Sequence, residues 1–291
     1  MKNKLRVGII GSGNIGTDLL VKISRSESLT CSIFIGRNAK SPGLLWAKNL
    51  GVVISDLGIE AIVRNPSICD VVVDCTSALA HEEHWKILEA LGITVLDMTP
   101  AKLGDFCVPT VASESWLSMG VHNINMVTCG GQASIPIANA LAQVHKEIEY
   151  LEVASSISSV SAGPATRENL DEYIETTGIA LQYFCGAKKT KAILILNPAV
   201  PPIDMVTTIY ARINKPDSLG INEAVKTVVQ KIQAYCPGYQ LLVPPIIKNN
   251  IVTLTIKVIG AGDYLPQYAG NLDIINSAAL ETLELIYRVR G

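Results

Sequence analysis

The chain has 291 residues, of which 48% are hydrophobic and 17% charged, so it is too long for one small module and too apolar to be disordered. Lysine and arginine number 24 against 26 aspartates and glutamates, which leaves a formal net charge of -2 and no basic surplus for nucleic acid. The apolar residues fall in short runs, well below the roughly 18 in a row that a membrane-spanning helix needs. We therefore expect neither a nucleic-acid partner nor a membrane association.

The cysteines and the N-terminus indicate a compartment. The seven cysteines are an odd number, and they are scattered with no Cys-x-x-Cys pair. The N-terminus runs directly into a strand-like segment at residues 6–10 and has no secretory signal pattern. A disulfide framework or a zinc site is therefore not expected, and a reducing cytoplasm fits best.

The first hundred residues alternate short apolar runs with longer mixed segments. The runs predict strands over residues 6–10, 29–35, 51–54, 71–74 and 94–97. The segments between them predict helices over residues 15–23, 43–49, 58–64 and 80–91. Strands rich in valine and isoleucine that alternate with helices are typical of a parallel sheet covered on both faces. The fold class is therefore α/β, with an N-terminal doubly wound sheet of the Rossmann type.

The second half of the chain has a different pattern. Strands are predicted over residues 147–159, 190–196, 241–243 and 251–258, and helices over 167–184, 222–235 and 272–289. Long helices and proline-rich turns separate these strands, which favours an α+β domain with a mixed or antiparallel sheet. We expect the last helix to pack back on the first domain.

A glycine motif follows the first predicted strand. Gly11-Ser12-Gly13-Asn14-Ile15-Gly16 matches the GxGxxG pattern. The first glycine permits the tight turn, the second lets a pyrophosphate approach the backbone, and the third allows close packing of helix on strand. The motif predicts a nicotinamide or flavin dinucleotide, held by the backbone N–H groups of the helix N-terminus.

The residue expected to hold the adenine ribose is missing. An acidic side chain normally lies about 20 positions after the glycine loop, but the second strand ends in Gly36-Arg37-Asn38. Arg37 can stack on adenine, pair with a 2′-phosphate or be an ordinary solvated arginine. The choice between NAD and NADP therefore stays open.

One cysteine stands apart from the others. An apolar, strand-like run ends at Cys129, Gly130-Gly131 follows, and Pro136 lies near the start of an alanine-rich helix through Val144. Backbone N–H groups and a helix dipole beside a thiol favour the thiolate and can stabilise an oxyanion. Cys129 is therefore the candidate nucleophile, while the other six cysteines lie in apolar contexts typical of structural residues.

Two histidines share a predicted helix. His81 and His84 are three positions apart and can lie on one face, but no third metal ligand is evident. We expect them to lie at a solvated helix start, and we expect no metal in the site.

With these motifs, the chain resembles the acylating, CoA-dependent acetaldehyde dehydrogenases of bacterial aromatic-degradation pathways. The resemblance covers nearly the whole chain and rests on several motifs. These are Gly11-Ser12-Gly13-Asn14-Ile15-Gly16-Thr17-Asp18, residues 125–133, Ser161-Ala162-Gly163-Pro164, Asn197-Pro198-Ala199, Tyr264-Leu265-Pro266 and Ala269-Gly270-Asn271-Leu272-Asp273-Ile274.

The resemblance implies a reaction, its cofactors and its site. Aldehyde, coenzyme A and NAD⁺ are interconverted with acyl-CoA and NADH, and Cys129 matches the nucleophile that carries the acyl thioester. The NAD-binding segments of the family match Ser12 to Ile15, Asn271, and the segment Ser161, Ala162, Gly163, Pro164, Ala165, Thr166, Arg167, Glu168, Asn169. Residues 1–128 are then the dinucleotide-binding domain, 129–270 the catalytic and dimerisation domain, and 271–291 the helix that returns to the cofactor domain. The resemblance also implies a homo-oligomer, and it is compatible with an aldolase partner that supplies acetaldehyde.

Individual residues in these segments carry further expectations. Thr166 resembles a helix N-cap, and Arg167 can meet a phosphate, a carboxylate or a neighbouring acidic residue. Asp273 is expected to be structural, matched to the dipole of the last helix. The family usually has Arg-Asp-Thr where this chain has Val206-Thr207-Thr208, which removes a carboxylate that could handle protons.

Two alternatives share the cofactor domain. A phosphorylating semialdehyde-type dehydrogenase would use the same nucleophile but needs a histidine base beside it, and no histidine has an obvious claim. The second alternative is a non-catalytic dinucleotide-binding subunit, because the family's aspartate is replaced by Thr207.

Overall fold

The chain forms two compact units in a computed structural model that describes residues 3–111, 123–163, 167 and 169–290. The first unit comprises residues 1–126 and 276–291, and the second comprises residues 127–275. Each unit has its own sheet.

The first unit contains a seven-stranded sheet. Its strands are β1 Leu5–Ile10, β2 Leu29–Ile35, β3 Ile54–Ser55, β4 Val71–Asp74, β5 Thr94–Asp97, β6 Asp105–Phe106 and β7 Asn123–Asn125. They lie in the order β3-β2-β1-β4-β5-β7-β6, and every neighbouring pair is parallel. All residues of β4 and β5 are buried, as expected for parallel strands covered on both faces.

Helices connect these strands. They are α1 Asn14–Ser24, α2 Pro42–Asn49, α3 Glu60–Arg64 and α4 Ala78–Ala90. Strands β2 and β3 lie on one side of β1, whereas β4 and β5 lie on its other side, so the direction in which the sheet grows reverses between β1 and β4. Open parallel sheets bind ligands at the carboxyl ends of the strands beside such a reversal, and the glycine loop follows β1 there.

The second unit contains a mixed five-stranded sheet. Its strands are β8 Ile148–Ser158, β9 Thr190–Asn197, β10 Met205–Ile213, β11 Tyr239–Lys248 and β12 Ile251–Val258. They lie in the order β11-β12-β10-β8-β9. The β8–β9 pair is parallel, while the other neighbours are antiparallel.

The described residues of the second unit also form three helices, and a fourth begins at Gly270. These are α5 Cys129–Val144, α6 Leu170–Cys185, α7 Ser218–Gln233 and α8 Gly270–Arg290. Buried residues alternate with half-buried ones along β12, and the first residues of β10 alternate in the same way. The buried side chains form the core with the helices, and the opposite face of the sheet carries the more exposed side chains, such as Tyr210.

The last helix contributes to the first unit from residue 276 onward. Asn276 Nδ2 donates to Asp18 Oδ2 at 2.9 Å on α1, and Arg290 donates to the carbonyl of Asp70 at 3.1 Å. The expectation that this helix packs on the first domain is confirmed.

The predicted fold class is confirmed, with differences at particular elements. The strand predicted at 51–54 overlaps β3 only at Ile54, and strands β6 and β10 were not predicted. The helix expected to begin near Pro136 begins seven residues earlier, at Cys129, and contains that proline. Among the described residues, none of the helices is long and apolar enough to cross a membrane.

Candidate functional site

The glycine loop between β1 and α1 is shaped by close backbone contacts. Gly11 has a φ of +112°, and a Cβ on it would lie 2.6 Å from the Cys75 carbonyl oxygen. A Cβ on Gly16 would lie 2.0 Å from the Gly11 carbonyl oxygen. Both positions therefore require glycine for the fold itself, as the sequence motif predicts.

Gly13 differs from these two glycines. A Cβ on Gly13 would meet no atom within 4 Å, and both Gly13 and Asn14 are exposed. Gly13 is the N-cap of α1, and no side chain caps this helix end. Its backbone thus borders open space beside N–H donors, as a bound pyrophosphate would require.

The remaining loop residues line the same edge of the sheet. The Ser12 hydroxyl lies 3.0 Å from that of Ser41, and Gly11 donates to the carbonyl of Ile35 at 2.9 Å. Ile15 is half-buried, and Arg37 is exposed two residues beyond the end of β2. Arg37 is therefore accessible at the strand end where the adenine ribose is expected.

Cys129 is the first residue of helix α5, not the end of a strand. The preceding Thr128 is the N-cap, and its hydroxyl accepts from the Gly131 N–H at 2.9 Å. Val127 has a φ of +60°, which is rare for a β-branched residue and must be imposed by its surroundings. Val127 and the Thr128 cap together place the half-buried Cys129 side chain at the N-terminus of α5.

The phenol of Tyr173 lies against this sulfur. Cys129 Sγ and Tyr173 Oη are 3.6 Å apart, and Tyr173 is only 7% exposed. A Cβ on Gly130 would lie 2.2 Å from Tyr173 Oη and 3.2 Å from Ser155 Oγ. Gly130 therefore has to lack a side chain for the phenol to approach the start of α5.

Two threonines hold Tyr173 in place. The Thr177 hydroxyl, one turn along α6, donates to the carbonyl of Tyr173 at 2.7 Å. The same hydroxyl lies 2.7 Å from that of Thr128, the α5 cap. These bonds join the helix that carries the phenol to the helix end that carries the thiol.

The pKa of Cys129 is raised, so the expectation that its surroundings would favour the thiolate overall is wrong. Burial is the largest cause and raises the pKa of this thiol. Hydrogen bonds from Tyr173 and from the backbone at Gly130 and Cys129 lower the pKa without cancelling the effect of burial. The expected backbone donors are thus present, but the free sulfur is mainly a thiol at neutral pH.

The position where the family carries aspartate is filled by a buried hydroxyl pair. Thr207 on β10 is fully buried, Ser155 on β8 is 1% exposed, and their hydroxyl oxygens are 2.9 Å apart. Asp204 forms a salt bridge with Lys257 at 2.7 Å instead. Because Ser155 Oγ would lie 3.2 Å from a Cβ on Gly130, this neutral hydroxyl pair lies beside the start of the helix that carries Cys129.

Part of the segment predicted to bind NAD lies outside the described residues, namely Pro164, Ala165, Thr166 and Glu168. Ser161 is buried and donates to the carbonyl of Ser158 at 2.8 Å. Arg167 donates to the carbonyls of Ala162 at 3.0 Å and Ser159 at 2.8 Å. Arg167 therefore holds the turn that contains Ala162 and the half-buried Gly163, through these carbonyls and the Ser159 hydroxyl at 2.9 Å.

Asn169 and Asn271 are placed differently. Asn169 occupies the N-cap position of α6, which begins at Leu170. Asn271 is 1% exposed, and neither polar atom of its side-chain amide has a hydrogen-bond partner among the described residues. A buried amide left in this state requires an explanation, and a bound group that pairs with it would supply one. Asp273 lies in the first turn of α8 and is 5% exposed, as a structural residue would be.

The two histidines of α4 are not at a solvated helix start, so that expectation is wrong. His81 is fully buried and bridges two strand ends, with Nδ1 3.0 Å from Asp74 Oδ2 and Nε2 3.5 Å from Asp97 Oδ2. His84 Nδ1 lies 2.8 Å from the same Asp74 oxygen. Among the described residues, no group of three or more histidine, cysteine, aspartate or glutamate side chains could hold a metal ion.

The electrostatics of this cluster follow from burial and charge. Burial lowers the pKa of His81, but its bond to Asp74 and the charge of Asp97 outweigh burial, and the pKa is raised. Burial raises the pKa of Asp97 to about 6. Burial also acts to raise the pKa of Asp74, but hydrogen bonds from His81 and His84 hold it well below its usual range. An imidazolium at His81 between two buried carboxylates accounts for these directions.

Four residues beside the thiol were not predicted from the sequence, namely Thr128, Ser155, Tyr173 and Thr177. A threonine three positions before the Gly131 N–H is an N-cap signal that could have been recognised. The spacing of Tyr173 and Thr177 only shows that they share a helix face. Nothing local indicates that Tyr173 reaches Cys129, which is 44 residues away.

Comparisons with known proteins identify the family of this chain. Residues 129–266 match the family described as "Prokaryotic acetaldehyde dehydrogenase, dimerisation". An acetaldehyde dehydrogenase of Pectobacterium atrosepticum is 64% identical over 290 residues, covering 100% of this chain and 98% of that protein. One from Spirochaeta aurantia is 54% identical over 280 residues, covering 96% and 94%.

Solved structures with the same fold are more distant in sequence. Aspartate semialdehyde dehydrogenase II of Vibrio cholerae has a TM-score of 0.67 at 13% identity and covers 98% of this chain and 99% of that one. Aspartate semialdehyde dehydrogenase of Candida albicans, crystallised with NADP, has a TM-score of 0.64 at 12% identity and covers 97% and 100%. Identities this low establish the fold alone. The high identity to the first group over nearly the full length establishes more: the chain belongs to the acetaldehyde dehydrogenase family of oxidoreductases.

Proposed function

We propose that this chain is a CoA-acylating aldehyde dehydrogenase that interconverts a short-chain aldehyde, CoA and NAD(P)⁺ with an acyl-CoA and NAD(P)H. The observation that carries the proposal is the half-buried thiol of Cys129 at the N-terminus of α5, against the phenol of Tyr173. Membership of the acetaldehyde dehydrogenase family supports the aldehyde as substrate. The other cysteines fit a structural role better, because burial raises the pKa of Cys31, Cys107 and Cys185 to about 12.

The chemistry proceeds through a thioester on Cys129. The thiolate adds to the carbonyl carbon of the aldehyde, and the resulting oxyanion takes up a proton to form a hemithioacetal. Backbone N–H groups at the start of α5 can stabilise the oxyanion. Loss of the hydroxyl proton to solvent and of the hydride from carbon leaves the thioester. The CoA thiolate then attacks this carbonyl, and the Cys129 thiolate is released.

A nicotinamide dinucleotide, when bound, would supply the hydride acceptor. In this proposal the glycine loop binds the pyrophosphate, Arg37 lies by the adenine ribose, and the segment around Ser161 together with Asn271 binds the remainder. The open backbone face of Gly13 and the unpaired amide of Asn271 fit such a group. Residues 1–128 then bind the cofactor, residues 129–270 carry catalysis and dimerisation, and residues 271–291 complete the cofactor domain.

A homo-oligomer is part of the proposal, because the matched family is defined by a dimerisation domain. We assign the contact to the exposed face of the five-stranded sheet. Tyr210 there is 36% exposed, and the half-buried Thr208 and Thr255 have hydroxyl oxygens 3.0 Å apart on neighbouring strands. A broad face of such neutral side chains suits packing against a second copy.

The test measures the acylation of Cys129 directly. The purified protein is mixed with a panel of acyl-CoAs, and the Cys129 peptide is analysed by mass spectrometry, while NADH formation from short aldehydes is followed with and without CoA. We expect an acyl adduct on Cys129 and CoA-dependent turnover that Cys129→Ser abolishes and Cys185→Ser preserves. Turnover with phosphate but not CoA would select a phosphorylating dehydrogenase instead. Cofactor binding without any acylation would select a non-catalytic subunit.

A further inference from the structure

We infer that Tyr173 is a further catalytic residue, whose hydroxyl donates a hydrogen bond to the Cys129 thiolate and thereby sets the reactivity of the sulfur. The inference rests on the proposed role of Cys129 as nucleophile. It starts from the 3.6 Å separation of Cys129 Sγ and Tyr173 Oη inside a region where Tyr173 is 7% exposed. A hydrogen bond to a charged group in such a region is stronger than the same bond in water.

The packing directs the phenol at the sulfur. Tyr173 Oη lies so close to the start of α5 that a Cβ on Gly130 would be 2.2 Å from it. The bond of Thr177 to the Tyr173 carbonyl and the Thr128–Thr177 hydroxyl contact hold the backbone of α6 at this distance. The phenol is therefore positioned before any substrate binds, as preorganised stabilisation of a charge requires.

The phenol acts as a donor and not as a base. Burial raises the pKa of Tyr173 well above its ordinary value, and the neighbouring Cys129 raises it further. Tyr173 thus keeps its proton over the range in which the thiol ionises. The thiol proton leaves to solvent, and the O–H of Tyr173 turns toward the sulfur that has become negative.

Few other groups can perform this task. The backbone at Gly130 and Cys129 also lowers the pKa of the thiol, and Tyr173 is the only side chain that shifts it among the residues described. The facing side chains from the sheet, Ser155 on β8 and Thr207 on β10, are neutral hydroxyls bonded to each other. If the phenol is removed, only the backbone donors therefore oppose the increase in the Cys129 pKa that burial causes.

The test compares Tyr173→Phe with the wild-type protein and with Tyr183→Phe. Tyr183 lies on the same helix but is 67% exposed, so its variant controls for loss of a phenol. The rate at which iodoacetamide alkylates Cys129 is measured by mass spectrometry of its peptide from about pH 6 to about pH 10, because only the thiolate reacts. Since a hydrogen bond to a charged group shifts a pKa by about one unit or more, Tyr173→Phe should move the profile upward by that amount and slow alkylation at neutral pH roughly tenfold. Tyr183→Phe should match the wild type.

The results separate this inference from the proposed function. An unchanged alkylation profile in a folded Tyr173→Phe protein overturns the inference, even if the melting temperature falls, because a purely structural role would not move the profile. Failure of any acyl-CoA to acylate Cys129 overturns the proposed function but leaves the alkylation profile as a test of Tyr173. An upward shift accompanied by a lower kcat at unchanged KM supports both.

Discussion

Replacing Gly13 by alanine separates cofactor binding from folding. A Cβ at this position would meet no atom within 4 Å, and the φ of -81° is one that alanine adopts readily. Alanine is a poorer N-cap than glycine but restricts the unfolded chain more, so the two effects offset each other to within about 1 kcal/mol. We therefore expect the melting temperature of Gly13→Ala to lie within a few degrees of the wild type.

The same methyl group occupies the space in which a pyrophosphate would approach the backbone. Direct bonds from N–H groups to phosphate oxygens are lost if the phosphate is held away, and charge-assisted bonds contribute about 1.5–3 kcal/mol each. Loss of one such bond corresponds to a tenfold or larger increase in the Kd for NADH. Gly16→Ala is the contrasting variant, because its Cβ would lie 2.0 Å from the Gly11 carbonyl oxygen.

The assay is a titration of NADH fluorescence together with thermal unfolding of each variant. Gly13→Ala should bind weakly and unfold normally, whereas Gly16→Ala should lose about 1–3 kcal/mol of stability from the clash. A Gly13→Ala protein that binds NADH with wild-type affinity would refute the placement of the pyrophosphate. A large loss of its stability would refute the statement that its Cβ enters open space.

Three further predictions concern the second unit, the buried histidine and the sheet face. Gly130→Ala should displace Tyr173, whose Oη lies 2.2 Å from the added Cβ, and so slow alkylation of Cys129 and lower stability by about 1–3 kcal/mol. Gly178→Ala, whose Cβ would lie 3.9 Å from its nearest neighbour, should gain about 0.5–1 kcal/mol in unfolding free energy. Equal unfolding free energies of Gly130→Ala and Gly178→Ala in urea would contradict the clash at Gly130. His81→Gln should lose about 3–5 kcal/mol by leaving buried carboxylates without their cation, whereas His145→Gln, which loses one bond to the Asp217 N–H, should lose about 1 kcal/mol. Because the pKa of His81 is raised in the folded protein, its contribution is complete below its ordinary pKa and is lost as the pH rises through the raised value. Wild-type unfolding free energy should therefore fall as the pH rises from about 6.5 through the raised pKa of His81, and a level or rising curve would argue against a cationic His81. Tyr210→Glu on the exposed sheet face should give monomers in light scattering, because an unpaired charge would be buried there, while the exposed Lys231→Glu on α7 should leave the oligomer intact. An unchanged oligomer in Tyr210→Glu would place the contact elsewhere.

Features encoded within about ten neighbouring residues were predictable from the sequence. Runs of valine and isoleucine separated by helical segments predicted the parallel sheet, and the spacing of Gly11, Gly13 and Gly16 predicted the loop that follows β1. The Cys129-Gly130-Gly131 sequence identified the thiol of interest. Strand β10 was one exception, since its threonines and tyrosine obscured an alternation that the sheet pairing makes evident.

Tertiary packing decided how these local features work. The pKa of Cys129 depends on burial and on Tyr173, which reaches it from another helix, and the hydroxyl of Thr207 is paired with Ser155 across two strands. His81 likewise becomes a buried bridge because β4 and β5 end side by side at Asp74 and Asp97. Backbone periodicity and turn chemistry are local properties, whereas desolvation and charge pairing depend on residues that only the folded chain brings together.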